Sequence, residues 1–92
     1  MIYRRSQRFK KAYKSLPKRV RDKTAKAFIL FRDNPAHPSL GVKKIQGHDD
    51  IWEGRIDNKY RFTFHYEKDQ KTSTTVCVFR YIDNHDECLK NP

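Results

Sequence analysis

Along this chain the apolar residues first recur every three to four positions and later every two. The clearest alternation is Tyr60, Phe62, Phe64 and Tyr66, with Arg61, Thr63 and His65 between them. That spacing predicts a strand with one aromatic face and one polar face. Ile51 to Ile56 predicts a partner strand, joined to it by a three-residue turn at Asp57, Asn58 and Lys59. In that register Ile56 faces Tyr60 and both point to the core, whereas a two-residue turn would put Ile56 on the polar side. The same register sets Arg55 directly across from Arg61. Like charges opposite each other on a sheet are unfavourable by up to about 1 kcal/mol. The pair therefore marks a place where an anion is wanted.

Upstream, Ile2 to Arg5 is a short strand that needs a partner from elsewhere. Ser6 is a helix N-cap, and Phe9, Ala12, Tyr13 and Leu16 follow as one apolar stripe. Pro17 opens a second helix running to about Asp33, with Val20, Thr24, Ala27, Phe28 and Phe31 on its inner face. Asn34-Pro35 stops it. A loop from Pro35 to Ser39 leads to a short strand, Val42 to Ile45, and Gly47 to Asp50 form a polar turn. Glu67 to Ser73 is a second polar turn. Thr74 to Ile82 is the last strand, with Val76 and Val78 on one face and Cys77, Phe79 and Tyr81 on the other. Asp83 to Pro92 is a polar tail. Helices come first and strands cluster after them. This order predicts one α+β domain over residues 1–92: a twisted, mostly antiparallel sheet with a helical hairpin on one face and an open cationic face opposite.

Charge sharpens that picture. Lys and Arg number 21 against 11 Asp and Glu, a net charge of +10 spread along the chain. Such an excess favours a polyanionic partner, either nucleic acid or a strongly acidic protein. The only cysteines, Cys77 and Cys88, build no disulfide framework and have no metal-ligand spacing, so a reducing cytoplasm is expected. The first residues have no apolar run of the kind found in a signal peptide. No stretch approaches the ~20 apolar residues of a membrane span.

No phosphate-cradling glycine loop, nucleophile elbow or zinc motif is present. What remains is Arg55, Arg61 and His85, with Lys43, Lys44, His48 and Arg80 as candidate RNA contacts. RNA cleavage without a metal needs few parts. A base takes the proton of a ribose 2′-hydroxyl, which attacks the adjacent phosphate; fixed cations stabilise the crowded phosphate; an acid protonates the departing 5′-oxygen. Arginine suits the middle task because it is always charged and bidentate, and histidine suits the others because it titrates near neutrality. The competing reading pairs Arg55 and Arg61 structurally with Glu53 and Asp57. His37 and His65 read as structural or exposed, and Trp52 as core.

The ordered set FKKAYKSLPKRV, FRDNPAHPSL, KKIQG, WEGRIDNKYRFTF and FRYIDNHDECL resembles the RelE/ParE superfamily of bacterial toxins. More narrowly, it is similar to the RelE-type mRNA interferases of type II toxin–antitoxin systems. The resemblance runs from about Tyr3 to Leu89 and is most specific from Trp52 to Arg61. It implies a microbial RNase fold and cleavage of mRNA in the ribosomal A site. It further implies 2′-hydroxyl attack with no metal or small-molecule cofactor, leaving a 2′,3′-cyclic phosphate, and an acidic antitoxin as partner. Arg61 matches the arginine of the family's Y-R strand, Arg55 the arginine of the strand before it, and His85 the histidine after the last strand. The chain departs from the family where Trp52 and Gly54 stand in place of paired lysines and Leu89 in place of an aromatic. Two other functions share parts of this pattern. A ParE-like inhibitor of DNA gyrase keeps the fold, but that branch usually lacks the terminal histidine and the arginines. A non-catalytic RNA- or ribosome-binding module keeps the cations without the chemistry.

Overall fold

The computed structural model describes residues 1–92. Its strands are β1 (Ile2–Arg5), β2 (Lys43–Lys44), β3 (Trp52–Arg55), β4 (Tyr60–Lys68) and β5 (Thr75–Asn84); its helices are α1 (Gln7–Lys14), α2 (Lys18–Asp33) and α3 (His85–Lys90). The strands form one sheet in the order β1-β5-β4-β3-β2. β1 is parallel to β5 and the other pairs are antiparallel. The expected α+β architecture is the one found. No helix is long and apolar enough to cross a membrane.

Local chemistry explains the hairpin of helices. The Ser6 hydroxyl accepts the Phe9 N–H at 3.0 Å, capping α1, and donates to the Arg80 carbonyl at 3.0 Å, tying that cap to β5. Pro17 sits at the N-cap of α2. The buried Thr24 hydroxyl is satisfied within its own helix by the Val20 carbonyl, 2.8 Å away. The core is largely a layer of phenylalanines. Phe9, Phe28 and Phe31 from the helices meet Phe62, Phe64 and Phe79 from the sheet. Phe28 stacks on Phe79 at 4.3 Å, and Phe31 meets Phe64 edge-on at 5.0 Å. Each such pair contributes about 0.5–1.5 kcal/mol beyond its buried area. Gly54 makes room for this layer: a Cβ there would lie 2.3 Å from Phe62 Cζ.

The central hairpin has the expected register. Ile56 N–H donates to the Tyr60 carbonyl at 3.0 Å across the three-residue turn, and Arg55 stands opposite Arg61. Elsewhere the structure corrects the expected elements. The strand expected from Val42 to Ile45 shrinks to two residues, and a 3₁₀ turn at Pro38–Leu40 precedes it and buries Leu40. β4 runs on to Lys68, and Tyr66, at its outer part, is exposed. Facing alternates along β5 only as far as Phe79. Phe64 pairs with Phe79, but Thr63 pairs with Tyr81, so Arg80 is an extra residue in the ladder. A β-bulge of this kind flips the parity of the residues beyond it. Tyr81 therefore joins Thr63 on the polar face, not Phe79 on the core face.

The tail is also ordered. β5 continues to Asn84, whose side chain accepts the Glu87 N–H at 3.0 Å and caps α3. Cys88 Sγ donates to the Arg61 carbonyl at 3.1 Å, and Thr63 Oγ1 donates to the Pro92 carbonyl at 3.0 Å. The polar face of the sheet is thus partly covered by α3 and the residues after it, where an open face was expected.

Candidate functional site

The polar face has two basins, divided by the end of the chain. In the first, the ladder runs Arg55 to Arg61 to Asp83 across β3, β4 and β5. His85 joins it because its N–H donates to the Lys59 carbonyl at 2.8 Å. The three residues expected to carry chemistry, Arg55, Arg61 and His85, are therefore brought to the same end of the sheet. Their side chains are placed differently. Arg61 Nη1 donates to the carbonyls of Asp57 and of Tyr60, the latter at 3.1 Å, so half-buried Arg61 is braced on its own turn. The Arg55 guanidinium turns to the sheet edge, about 3.9 Å from where a Gly41 Cβ would lie. There it lines a cleft with Lys23, Lys26, Leu30 and Ser39. His85 is half-exposed, with Nδ1 3.5 Å from the Asp86 carboxylate.

The structural pairing with Glu53 and Asp57 does not form. Glu53 is paired with Lys43 at 4.0 Å and Asp57 with Lys23 at 3.2 Å. None of Arg8, Arg55, Arg61 and Arg80 is ion-paired with a carboxylate. Burial pushes the Asp57 carboxyl up, but the Tyr60 and Lys59 amides, each 2.8 Å away, and the Lys23 ammonium outweigh it and hold it below its usual range.

In the second basin Arg8, His48, Arg80 and Lys90 surround Ile51, Asn91 and Pro92. Arg80 Nε donates to the Pro92 carbonyl at 3.0 Å, and the Arg8 guanidinium donates to the Asn91 carbonyl. Arg80 also donates through Nη1 to His65 Nδ1 at 2.8 Å. His65 Nδ1 must then be an acceptor, which leaves Nε2 to donate to Glu67 at 2.8 Å. That hydrogen bond from His65 holds the Glu67 carboxyl below its usual range, helped by Arg4 at 3.7 Å.

Among the expected RNA contacts, His48 and Arg80 share this basin. The two lysines separate: Lys43 pairs with Glu53 on the polar side, while Lys44 lies 5.4 Å over the Trp52 ring and 3.6 Å from Asp50. Trp52 is half-buried against Phe64, as expected for a core residue. Sequence reasoning missed His65, Arg8 and Lys90. A signal for His65 was present, since it shares the two-residue spacing of Arg61 and Thr63. Arg8 reaches this face because α1 follows β1 past the end of its pairing, alongside the outer half of β5, and lays Arg8 3.9 Å over the Tyr81 ring. Tyr81 in turn donates to Asp83 at 2.7 Å. This bond, with burial added, pushes its phenol up to about 12.

No protein-family model matches the chain, and no curated protein matches it. Solved structures do. A YoeB/ParE toxin from Agrobacterium tumefaciens superposes with a TM-score of 0.71 at 13% identity, covering 92% of this chain and 99% of that one. The chain has the RelE/ParE toxin fold. Similar chains come from two archaeal complexes. One is the RelB–RelE antitoxin–toxin complex of Methanococcus jannaschii, with a TM-score of 0.68, 17% identity and complete coverage of both chains. The other is the RelE–RelB complex of Pyrococcus horikoshii, with a TM-score of 0.63 and 20% identity over 90% of this chain and 92% of that one. On this RelE/ParE fold the second basin lies on the polar face of the sheet, and Arg55 of the first turns to the sheet edge beside α2.

Proposed function

We propose that this chain is the toxin of a type II toxin–antitoxin pair and that it cleaves mRNA on the ribosome. The observation that carries the reading is Arg61. Its guanidinium is half-buried, braced by carbonyls and free of any carboxylate, on a chain with the fold of known toxins. A cation held in that way is matched by a phosphodiester, whose charge rises during attack.

In the proposed reaction a base takes the 2′-hydroxyl proton and the 2′-oxygen bonds to phosphorus. The bond from phosphorus to the 5′-oxygen breaks, leaving a 2′,3′-cyclic phosphate. The departing 5′-oxygen is protonated. Arg61 stabilises the phosphate through the step, and His85 is the proton carrier for one side of it. Arg55, turned to the rim, holds a flanking phosphate. Arg80 and His48 bind the RNA from the second basin, and Lys43 and Lys44 do so from β2 at the sheet edge. So small a domain positions its substrate poorly alone, which is why the ribosome is the proposed platform. The antitoxin is proposed to be acidic, because it must cover a chain of net charge +10.

The test is induced expression of wild type beside Arg61→Ala and His85→Ala, following growth and mRNA 5′-ends. Growth arrest with new ends in translated messages, lost in Arg61→Ala, is the expected result. Intact messages with a DNA-damage response would move the protein to gyrase inhibition. Arrest with neither would leave an RNA- or ribosome-binding module.

A further inference from the structure

The second basin, about 500 Å³ in volume, is closed by a piece of the chain itself. Donors from three different elements converge there on two successive carbonyls. Arg80 Nε of β5 and the Thr63 hydroxyl of β4 each donate to the Pro92 carbonyl at 3.0 Å, and the Arg8 guanidinium of α1 donates to the Asn91 carbonyl. Both arginines are fixed by further contacts. Arg8 lies over the Tyr81 ring, 3.9 Å from its centre, and Arg80 is held through Nη1 by His65.

Two permanent charges are thus aimed at neutral oxygens. Neither arginine is paired with a carboxylate, and Glu87, on the adjoining helix, is taken by Lys90 at 3.8 Å. A phosphate oxygen carries the charge that a carbonyl lacks, and a phosphate accepts two guanidinium N–H groups in parallel. The segment that supplies the carbonyls has few other ties. α3 ends at Lys90, Asn91 is exposed, and the Asn91 N–H reaches the Glu87 carbonyl only at 3.3 Å. Pro92, by contrast, is buried on the sheet.

We propose that Asn91 and Pro92 plug a phosphodiester site on Arg8 and Arg80, and that single-stranded RNA opens it by displacing their two carbonyls. The choice of RNA as ligand rests on the ribonuclease reading. Because the arginines are already held in position, only the plug has to move. RNA then binds only the molecules whose plug is detached, and its apparent affinity is lowered by that fraction. Thr63 is the latch. It is 0% exposed, so it touches no ligand, and the one hydrogen bond its hydroxyl donates goes to the plug.

The probe is hexauridylate with 2′-O-methyl riboses, which has no 2′-hydroxyl to attack its own phosphates. It is titrated into the purified, isotopically labelled chain and followed by NMR. Binding is expected to shift the Arg80 Nε–H signal and to loosen Asn91, read as a fall in its heteronuclear NOE. Thr63→Val removes the latch hydroxyl and keeps its shape. It is expected to bind the probe about two- to tenfold more tightly, the scale of one hydrogen bond lost from the plugged form. A merely structural anchor would leave the affinity unchanged or lower it. Pro92→Gly loosens the plug without touching the sheet, is expected to act in the same direction, and decides the matter if Thr63→Val does not fold. Unchanged or weaker binding in the folded variants, or an Asn91 amide that stays rigid at saturation, overturns the proposal. Tighter binding of hexaglutamate than of the RNA probe would assign the site to an acidic protein and overturn it too. Release of the plug by the probe without mRNA cleavage in cells would keep the plug and remove the enzyme. Cleavage in cells with a rigid Asn91 would do the reverse.

Discussion

Arg80 Nη1 lies 2.8 Å from His65 Nδ1, and this bond joins the bulge of β5 to the polar side of β4. Val78 stands opposite His65, and Arg80, two residues on, keeps that face just before the ladder shifts at Tyr81, so one guanidinium reaches both His65 and the Pro92 carbonyl. Arg80→Ala removes both bonds and leaves a partly buried imidazole nitrogen without a donor, while the Pro92 carbonyl keeps only the Thr63 hydroxyl. A stability loss of about 1–3 kcal/mol is expected, read as a lower midpoint in urea. An unchanged midpoint would mean that the terminal residues are not anchored by this arginine.

For Arg61 the conservative substitution is the informative one. Arg61→Ala is expected to lower the rate of mRNA cleavage by roughly 10²–10³-fold, the cost of losing one contact to developing charge. Arg61→Lys is expected to recover only part of this, because an ammonium cannot hold two turn carbonyls and still present a planar face to phosphate. Single-turnover cleavage on programmed ribosomes separates the two variants. Full activity in Arg61→Ala would reject the assignment.

Gly54 answers to packing. A methyl group there would overlap the ring of Phe62, which is fully buried and cannot swing aside. Gly54→Ala is expected to destabilise the fold by about 1–3 kcal/mol through overpacking. The melting temperature should fall, and Phe62→Leu in the same chain should recover part of the loss.

Both thiols are pushed up to about 12, chiefly by burial. Only the thiolate reacts, so neither cysteine should be alkylated by iodoacetamide at about pH 8 while the chain is folded. Adding denaturant should label both together. Rapid labelling of Cys88 alone in native buffer would show that α3 lifts from the sheet.

Asp57 sets an acid limb on stability. Its carboxyl is held low in the fold despite partial burial. As pH falls below about 4, the unfolded chain takes up the proton first, so this stabilisation is present above that range and is lost as pH drops through the depressed value. The urea midpoint is expected to decline from about pH 5 to about pH 3, and less steeply in Asp57→Asn. A parallel decline in both proteins would place the acid limb elsewhere.

Much of this protein can be read from spacing. The stripe Phe9, Ala12, Tyr13 and Leu16, the Ser6 cap, and the facing of Ile56 with Tyr60 are consequences of local periods and turn length. These depend on neighbours a few residues away. For the same reason the juxtaposition of Arg55 and Arg61 was legible: a three-residue turn leaves one register that buries Ile56. The α+β arrangement followed from the order of such segments, and the resemblance of the ordered motifs added the RelE/ParE fold.

Tertiary contacts decided the rest. The bulge at Arg80 leaves no mark on the period of β5 until β4 is laid beside it, so the facing of Tyr81 could not be read from spacing. Whether Arg55 and Arg61 were bound to Glu53 and Asp57 depended on Lys43 and Lys23 arriving from distant segments to take those carboxylates. The covering of the polar face by α3 and Pro92 depended on a buried Thr63 hydroxyl needing a partner. A short helical period foretells what one segment can bury; only the assembled sheet determines which charges meet, because their partners lie far away along the chain.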